Sequence, residues 1–265
     1  MLINQIKILE LLSDRQKFEY IQKELYTGKI PYEIHRYQTG KNILLHSGKR
    51  RRIGIGSHFD TVYNHYGAND NASAVVVCLE LARRLKHNPT QKIGVDIFFF
   101  DEEEKGLIGS TAYCRKLGIN GFLGFLNMEL VGMGNQFAIW PVQNYTKGTV
   151  LDAFERSAKD RGIPTSRFDR IIMNTADHQS FREYGLQDSF TITCIGEKDI
   201  EVATHYYKAM EFDVNQQTLY EIINQAPIFE HYHQLSDRSV HLSEETLQMT
   251  VEAIWRMVIE IDTAF

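Results

Sequence analysis

Short apolar runs alternate with amphipathic stretches along most of this chain. The apolar runs predict β-strands over residues 52–57, 93–100, 122–128 and 189–194, with a shorter extended piece over residues 42–45. The stretches between them carry apolar residues at helical spacing and predict helices over residues 71–86, 148–159 and 179–184. This alternation predicts one domain, residues 1–265, built on a largely parallel sheet with helices on both faces.

Both ends of the chain predict helices. Residues 1–28 carry apolar residues at helical spacing, and Asp14 and Gly28 are suited to begin and end that helix. Near the C terminus, Ser243 is a capping residue in front of a long apolar stripe. Residues 196–229 show helical patches but no strand, so we expect this connection to form a lid or a wall beside a site.

The composition is that of a soluble globular protein and excludes few functions. Of the 265 residues, 43% are hydrophobic and 24% are charged, and the formal net charge of −5 disfavours a nucleic-acid partner. The basic run Lys49–Arg52 predicts a solvated edge. No stretch approaches the ~20 apolar residues of a membrane span, and residues 1–20 lack a signal-peptide pattern, so we expect no membrane partner and a cytoplasmic location. The three cysteines, Cys78, Cys114 and Cys194, lack a metal-site spacing and predict buried, reduced thiols.

Acidic residues and histidines collect where the predicted strands end. They are His58, Asp60, Asp70, Asp101, Glu102, Glu103, Glu104, Glu129, His231 and His233. In open α/β sheets, ligands bind beyond the carboxyl ends of the strands. Taken singly, each residue has a structural explanation, such as a surface histidine, a helix cap or a solvated acidic loop. Together these carboxylates would repel one another, and a divalent cation such as zinc, manganese or cobalt relieves that repulsion and suits mixed imidazole and carboxylate ligands.

Six segments of the chain, in this order, resemble one known family. They are SHFDT, GANDNASA, EEKGLIGS, LNMELVG, ADHQSF and YHQLSD. They are similar to the motifs of the dinuclear zinc exopeptidases of metallopeptidase family twenty-eight. That family includes bacterial leucyl aminopeptidase and aminopeptidases Y and S, with glutaminyl cyclase and glutamate carboxypeptidase as relatives. The resemblance implies a three-layer α/β/α domain with a central, mostly parallel mixed sheet.

The resemblance also implies a set of metal ligands. Asp70 resembles the carboxylate that bridges two metals. His58 and Glu129 resemble the other ligands of one metal, while Glu104 and His233 resemble those of the second. The implied cofactor is a pair of zinc ions, with cobalt or manganese as alternatives. Glu129 departs from the aspartate that is usual at its position, and its extra methylene would move the metal or alter recognition of the N terminus.

Further residues have implied roles in catalysis and substrate binding. The GLIGS segment sets the register that makes Glu103 resemble the catalytic base. Asp60 would hold the imidazole of the first histidine ligand and set its tautomer. Asp177, His178 and Tyr232 are similar to residues that line the substrate site, and a helix cap is an equally good interpretation of Asp177.

The implied activity is that of a zinc-dependent aminopeptidase acting on short peptides with a free N terminus. A water bridging the two metals would attack the scissile carbonyl, with Glu103 as the general base. Asp101, Glu102 and Glu129 are carboxylates beyond those that the bridging and base roles require, so one of them is expected to hold the substrate ammonium group.

Two alternatives stay open at this point. A glutaminyl-peptide cyclotransferase would use one zinc ion, but the GLIGS segment and the Tyr232-His233 pair favour the peptidase. A non-catalytic, metal-binding homologue would be expected to have lost ligands, whereas every ligand position here is acidic or imidazole.

Overall fold

One eight-stranded sheet organises the protein. The computed structural model describes residues 1–169, 175–212 and 214–265. The strands are β1 (Glu33–Arg36), β2 (Lys41–Leu45), β3 (Arg52–His58), β4 (Gly94–Phe100), β5 (Phe122–Met128), β6 (Gln136–Trp140), β7 (Thr165–Arg167) and β8 (Ser189–Ile195). They lie in the order β1-β2-β4-β3-β5-β8-β6-β7.

The centre of this sheet is parallel and its margins are mixed. Strands β4, β3, β5 and β8 lie side by side in one direction. On one side β2 is antiparallel to β4, and on the other β6 is antiparallel to β8. The mostly parallel mixed sheet that the sequence predicts is therefore confirmed. Because the four central strands share a direction, their carboxyl ends meet at one edge of the sheet.

Helices cover both faces of the sheet. The described residues form α1 (Leu2–Leu9), α2 (Asp14–Thr27), α3 (Ser73–His87), α4 (Ile108–Leu117), α5 (Thr149–Asp160), α6 (His178–Glu183), α7 (Glu197–Glu211), α8 (Gln216–Ile223) and α9 (Glu244–Ala264). One face packs against α1, α2, α3, α5 and α9, and the other against α4 and α6. Along β4, Ile97 and Phe99 enter the first layer while Phe98 and Phe100 enter the second, as the period of two along a strand requires. The three-layer α/β/α architecture is confirmed.

Strand β3 carries glycine where a neighbouring aromatic ring needs the space. A Cβ atom would lie 2.7 Å from the ring of Phe125 at Gly54 and 2.6 Å from it at Gly56. The same ring stacks on Phe181 of α6, with 3.8 Å between the ring centroids. Larger residues at these two positions of β3 would displace Phe125, so the glycines let β3 pack beside this ring of β5.

The N-terminal region differs from its prediction. The helix predicted over residues 1–28 is two helices, because the chain turns after α1 and α2 begins anew. Ser13, not Asp14, is the capping residue of α2: its backbone N–H donates to Gln16 Oε1 at 3.0 Å in a capping box. The hydrophobic pattern also did not reveal β1, β6, β7 or α4, since three of these are strands of five residues or fewer.

Two smaller predictions concern surface and core residues. The basic run is a solvated edge only in part, because Arg52 pairs with buried Asp96 at 3.0 Å and covers the ring of Phe122. All three cysteines are buried and unpaired, as predicted. Within the described residues, no helix is both long enough and apolar enough to cross a membrane.

Candidate metal centre

The carboxyl-end edge of the sheet gathers side chains from four parts of the chain. His58 ends β3, Glu129 directly follows β5, and Glu103 and Glu104 follow β4. Asp70 lies in an irregular turn over Ala68–Ala72 that leads into α3. The parallel centre of the sheet brings these residues together, as expected for ligands beyond strand ends.

A first group of ligand atoms surrounds the Nε2 atom of His58. This atom lies 3.2 Å from Asp70 Oδ1 and 3.2 Å from Glu129 Oε2. Both oxygens of Glu129 accept hydrogen bonds, one from Asn71 Nδ2 at 2.7 Å and the other from Asn127 Nδ2 at 2.9 Å. The group is buried, and the fold fixes the Glu129 carboxylate by two amide donors.

A second group surrounds the Nε2 atom of His233. This atom lies 3.2 Å from Asp70 Oδ2 and 3.3 Å from Glu104 Oε2. Asp70 therefore presents one oxygen to each group. The other oxygen of Glu104, Oε1, is buried and has no hydrogen-bond partner among the described residues.

These residues fit a metal centre. In each group, one ligand atom from each of the three residues lies within 4.8 Å of the others, which is the arrangement of one ion held by three side chains. Buried polar atoms are nearly always paired, so the orphaned Glu104 Oε1 lacks a partner that a cation would supply. Burial opposes ionisation of Asp70, but the neighbouring imidazoles of His233 and His58 outweigh burial and lower the pKa of Asp70 below its ordinary value. An ionised carboxylate is the form that binds metal.

Asp60 contacts the first histidine mainly through its backbone carbonyl. The backbone carbonyl of Asp60 lies 3.1 Å from His58 Nδ1, and since a carbonyl only accepts, Nδ1 is the donor and Nε2 faces the carboxylates. The Asp60 carboxylate, 3.4 Å from Nδ1, mainly accepts the backbone N–H groups of Glu103 at 3.0 Å and Glu104 at 3.2 Å. Asp60 thus ties the ends of β3 and β4 together.

Asp237 is a supporting residue that the sequence analysis assigned no role. Its carboxylate accepts the backbone N–H of Asn69 at 2.8 Å and that of Asp70 at 3.0 Å. It therefore holds the turn that carries the shared ligand. The signal was present in the YHQLSD segment, which ends with this aspartate.

Glu103 lies between the two groups. One of its oxygens belongs to a further grouping with His58 and Glu104 in which the ligand atoms lie within 4.8 Å of one another. Burial raises the pKa of Glu103 well above its ordinary value; the charge of His58 lowers it, and those of Glu129 and Asp177 add to the rise. The position of Glu103, with one oxygen near His58 of the first group and Glu104 of the second, is the position that a general base needs.

The three predicted substrate-site residues take different positions. Tyr232 stacks on the ring of His233 with 3.8 Å between ring centroids, and it lines a pocket beside the two groups. Asp177 and His178 are buried, and neither is among the described residues that line this pocket. Burial raises the pKa of Asp177 to about 7, and burial together with Arg182 lowers the pKa of His178 to about 3. No side-chain cap hydrogen bond from Asp177 to α6 is present.

The pocket beside the ligand groups is mainly apolar. One end carries the carboxylates of Asp70, Glu103, Glu104 and Glu129; the rest of the lining includes Leu130, Ala138, Trp140, Ile195, Ala203, Ile223, Ala226, Ile228 and Phe229. Residues of α7, α8 and the turn Pro227–Phe229 supply a large part of this lining, so the described part of the connection over residues 196–229 forms a wall of the pocket. The indole Nε1 of Trp140 donates to Thr193 Oγ1 at 3.0 Å, which leaves its ring as an apolar surface.

Of the three surplus carboxylates, Glu129 lines this pocket, whereas Asp101 and Glu102 are not among the described residues that line it. Asp101 Oδ2 accepts the backbone N–H of Lys41 at 3.2 Å. Glu102 pairs with Lys105 at 3.1 Å and with the Thr39 hydroxyl. The positive φ of 60° at Glu102 marks the tight turn after β4, which separates these two side chains from Glu103 and Glu104.

Fold and site together describe an α/β protein with a candidate metal centre at the carboxyl ends of its parallel strands. The sequence profile of Peptidase family M28 matches residues 42–258, which is most of the chain. The chain therefore belongs to Peptidase family M28, as its motifs predicted.

Two curated relatives illustrate the sequence likeness. A vacuolar membrane protease of Candida glabrata is 27% identical over 138 residues, which cover 50% of this chain and 14% of the relative. A probable lipoprotein aminopeptidase of Mycobacterium tuberculosis is 27% identical over 205 residues, covering 74% of this chain and 39% of the relative. The chain thus spans well under half the length of either relative.

Two solved structures illustrate the likeness of the fold. A glutaminyl cyclase of Porphyromonas gingivalis matches with a TM-score of 0.75 and 17% identity, covering 98% of this chain and 96% of that one. A zinc aminopeptidase of Bacillus subtilis matches with a TM-score of 0.64 and 24% identity, covering 83% of this chain and 50% of that one. At these identities the likeness supports the fold, and the chemistry has to be argued from the site.

Proposed function

We propose that the protein is a zinc-dependent aminopeptidase that removes apolar N-terminal residues from short peptides. The observation that carries the proposal is the sharing of Asp70 between two histidine-carboxylate groups, with Glu103 against both. The nitrogen and oxygen donors suit zinc, with cobalt or manganese as substitutes, and relatives described as zinc aminopeptidases have the same fold. His58, Asp70 and Glu129 would hold one ion, and Asp70, Glu104 and His233 the other.

The proposed mechanism assigns proton transfer to Glu103. When bound, the two zinc ions would lower the pKa of water and polarise the scissile carbonyl. Glu103 would accept the proton of the attacking water and return it to the leaving amine. Asp60 would keep the backbone of Glu103 in place through its hydrogen bond to the Glu103 N–H, and the Asp60 carbonyl would keep His58 Nε2 turned towards the carboxylates.

The pocket supports the choice of substrate. Glu129, at the carboxylate end of the pocket, would accept a charge-assisted hydrogen bond from the ammonium group of a free N terminus in addition to its metal contact. Most of the other described residues that line the pocket are apolar, so a charged side chain would lose hydration on entry with few replacement partners. An apolar first residue gains from burial instead. The wall from α7 and α8 would limit how many residues can precede the scissile bond.

A matched peptide series tests this proposal. Peptides beginning with leucine, aspartate or N-acetyl-leucine, otherwise identical, are incubated with the zinc-loaded protein, and released amino acid is measured. We expect the leucine peptide to be cleaved fastest, the aspartate peptide at least tenfold more slowly, and the acetylated peptide not at all. The Glu103→Gln variant, purified in the same way, controls for a contaminating peptidase. Efficient cleavage of the acetylated peptide would contradict the proposal.

A glutaminyl-peptide cyclotransferase is the second candidate, favoured by the likeness to a glutaminyl cyclase over nearly the whole of both chains. A glutamine-initiated peptide in the same assay distinguishes the two. A cyclase would release ammonia and leave the peptide bonds intact, whereas the peptidase would release glutamine slowly or not at all. Zinc binding without turnover of any peptide would instead identify a non-catalytic, metal-binding homologue. The expected cytoplasmic location and the expected absence of nucleic-acid and membrane partners stay predictions.

A further inference from the structure

The N-terminal helices α1 and α2 pack against segments next to the metal ligands, although the family match begins only at residue 42. Two segments that carry or support metal ligands receive these contacts. One runs from the last residue of β3, His58, to Thr61, and the other runs from His233 to Ser239. Each contact involves a polar side chain that α1 or α2 buries.

Helix α2 holds the segment after β3. The side chain of Lys17 is 2% exposed, and its amino group donates a hydrogen bond to Thr61 Oγ1. One residue further along α2, the ring of Phe18 packs on the ring of Phe59, with 5.9 Å between centroids. Lys17 and Phe18 thus fasten the residues on either side of Asp60, which itself fixes the His58 ring and the loop after β4.

Thr61 connects this contact to the shared ligand. A Cβ atom at Gly67 would lie 2.6 Å from Thr61 Cγ2 and 2.4 Å from the carbonyl oxygen of Asp70. Gly67 has a φ of 60° and stands directly before the turn that carries Asp70. The Thr61 side chain therefore packs against the start of that turn, so a shift of Thr61 would move the turn.

Helix α1 holds the second segment through the residue at its C-terminal end. Glu10 is 7% exposed, and its carboxylate accepts the backbone N–H of Ser239 at 2.6 Å and an N–H of the Arg238 side chain at 3.2 Å. Asp237, the preceding residue, holds the backbone of Asp70. The contact of Glu10 thus reaches the shared ligand in one further step.

We propose that Glu10 and Lys17 are positioning residues for the metal centre. Together these two side chains form a brace, by which α1 and α2 fix the position of Asp70. The two contacts reach Asp70 by separate routes: that of Lys17 passes through Thr61, and that of Glu10 passes through Asp237. A brace of this kind fixes ligand geometry before the ion binds, so its loss weakens metal binding beyond any loss of folding stability. The inference depends on the metal centre of the proposed function but not on peptide hydrolysis.

Cobalt binding tests the brace, because Co²⁺ absorbs visible light according to its ligand geometry. Three variants are tested. Lys17→Met and Glu10→Gln change the brace itself, and Thr61→Val removes the hydrogen-bond acceptor of Lys17 while leaving the sequence of α2 unchanged. Matched controls are Lys23→Met and Glu19→Gln, which remove the same charges from exposed positions of α2. The affinity of each purified protein for Co²⁺ is measured by competition with a chromophoric chelator, the absorption spectrum of each complex is recorded, and the temperature is kept where circular dichroism shows full folding.

We expect at least tenfold weaker Co²⁺ binding and a changed visible spectrum in Lys17→Met, Glu10→Gln and Thr61→Val, with wild-type behaviour in both controls. If Lys17→Met does not fold, Thr61→Val carries the same expectation. Wild-type affinity and spectrum in folded variants, even with a lowered melting temperature, would overturn the proposal and leave α1 and α2 a purely structural role. Failure of the wild-type protein itself to bind Co²⁺ would overturn the metal centre and the brace together, whereas bound Co²⁺ without peptide hydrolysis would overturn only the proposed activity.

Discussion

The two ligand groups that share Asp70 differ in how firmly the fold holds them without an ion. In the first group, the side chain of His58 is 1% exposed. Its partner Glu129 has amide donors on both oxygens, from Asn71 and Asn127. Hydrogen bonds and burial hold His58 and Glu129 in this group, so an ion entering it would find these two ligands already in place.

The second group is open and less complete. The side chain of His233 is 36% exposed, and Glu104 keeps one buried oxygen without a hydrogen-bond partner in the described chain. An ion here would supply interactions that the protein does not. The contrast shows that Asp70 can belong at once to a group whose geometry the fold sets and to a group that needs an ion to complete it. We therefore expect the first site to bind metal more tightly and exchange it more slowly than the second.

The largest expected effect concerns Glu103, which contacts both groups. Glu103→Gln should lower kcat by about 10²- to 10⁴-fold, the scale of general-base catalysis, because the amide cannot accept the proton. Metal content, measured by atomic emission, should stay near that of the wild type. A fall in metal content would instead make Glu103 a ligand and would break the division into two groups.

The next effect compares the two histidines. His58→Ala removes a buried partner of two carboxylates, and breaking a buried pair costs about 3 kcal/mol of unfolding free energy. His233→Ala should cost clearly less in urea denaturation, because its side chain is partly exposed, yet it should still abolish binding of one ion. His231→Ala is the control: its ring stacks on His241 and contacts Ser236, outside both groups. Equal metal loss in His231→Ala and His233→Ala would mean that the wrong histidine had been assigned.

Removal of the metals should destabilise the fold by a smaller amount. An ion that binds only the folded state at a hundred times its Kd adds about 2.7 kcal/mol. For a protein of this size that corresponds to roughly 5–10 °C in melting temperature. We expect a chelator to lower the melting temperature by this amount, and partial chelation to release one ion well before the other. An unchanged melting temperature would show that the ligand groups are stable without metal.

The smallest effect is the pH dependence of metal binding. Burial lowers the pKa of His233, but the neighbouring carboxylates of Asp70 and Glu104 outweigh burial and raise that pKa to about 10 in the metal-free protein. His233 is therefore protonated at neutral pH, and metal binding must displace its proton. Affinity for the second ion should rise about tenfold per pH unit between pH 6 and 8, because the deprotonated fraction of His233 grows tenfold with each pH unit. Calorimetry in buffers of different ionisation enthalpy measures the released proton directly, and a pH-independent affinity would contradict the assignment.

Much of this architecture could be predicted from the sequence, because its signals are local. Apolar runs identified the four central strands, and the direction rule for parallel strands placed His58, Glu104 and Glu129 at one edge. The supporting contacts could not be predicted in this way. Asp237 and Asp70 lie 167 residues apart, and only the folded chain shows that one holds the other's backbone.

The differences from the sequence predictions have several physical causes. Asp101 and Glu103 are two residues apart in one acidic run, yet the turn after β4 sends their side chains to different places, and charge alone carries no such direction. The capping residue of α2 was predicted one position late, because Ser13 and Asp14 are both good caps and the capping box with Gln16 decides between them. Short edge strands such as β7 give too few residues for a period to emerge.

The indole of Trp140 gives the pocket a natural fluorophore. The chain has two tryptophans, and while Trp140 lines the pocket, Trp255 on α9 packs against the main core on the other side of the sheet. The Trp140 ring is 5% exposed and meets the ring of His178 edge-on, with 5.1 Å between centroids. A ligand that displaces solvent from this ring would change the polarity around it and therefore shift the wavelength of its fluorescence emission. In a Trp255→Phe background, the protein would report optically on what enters its own pocket, without any added label.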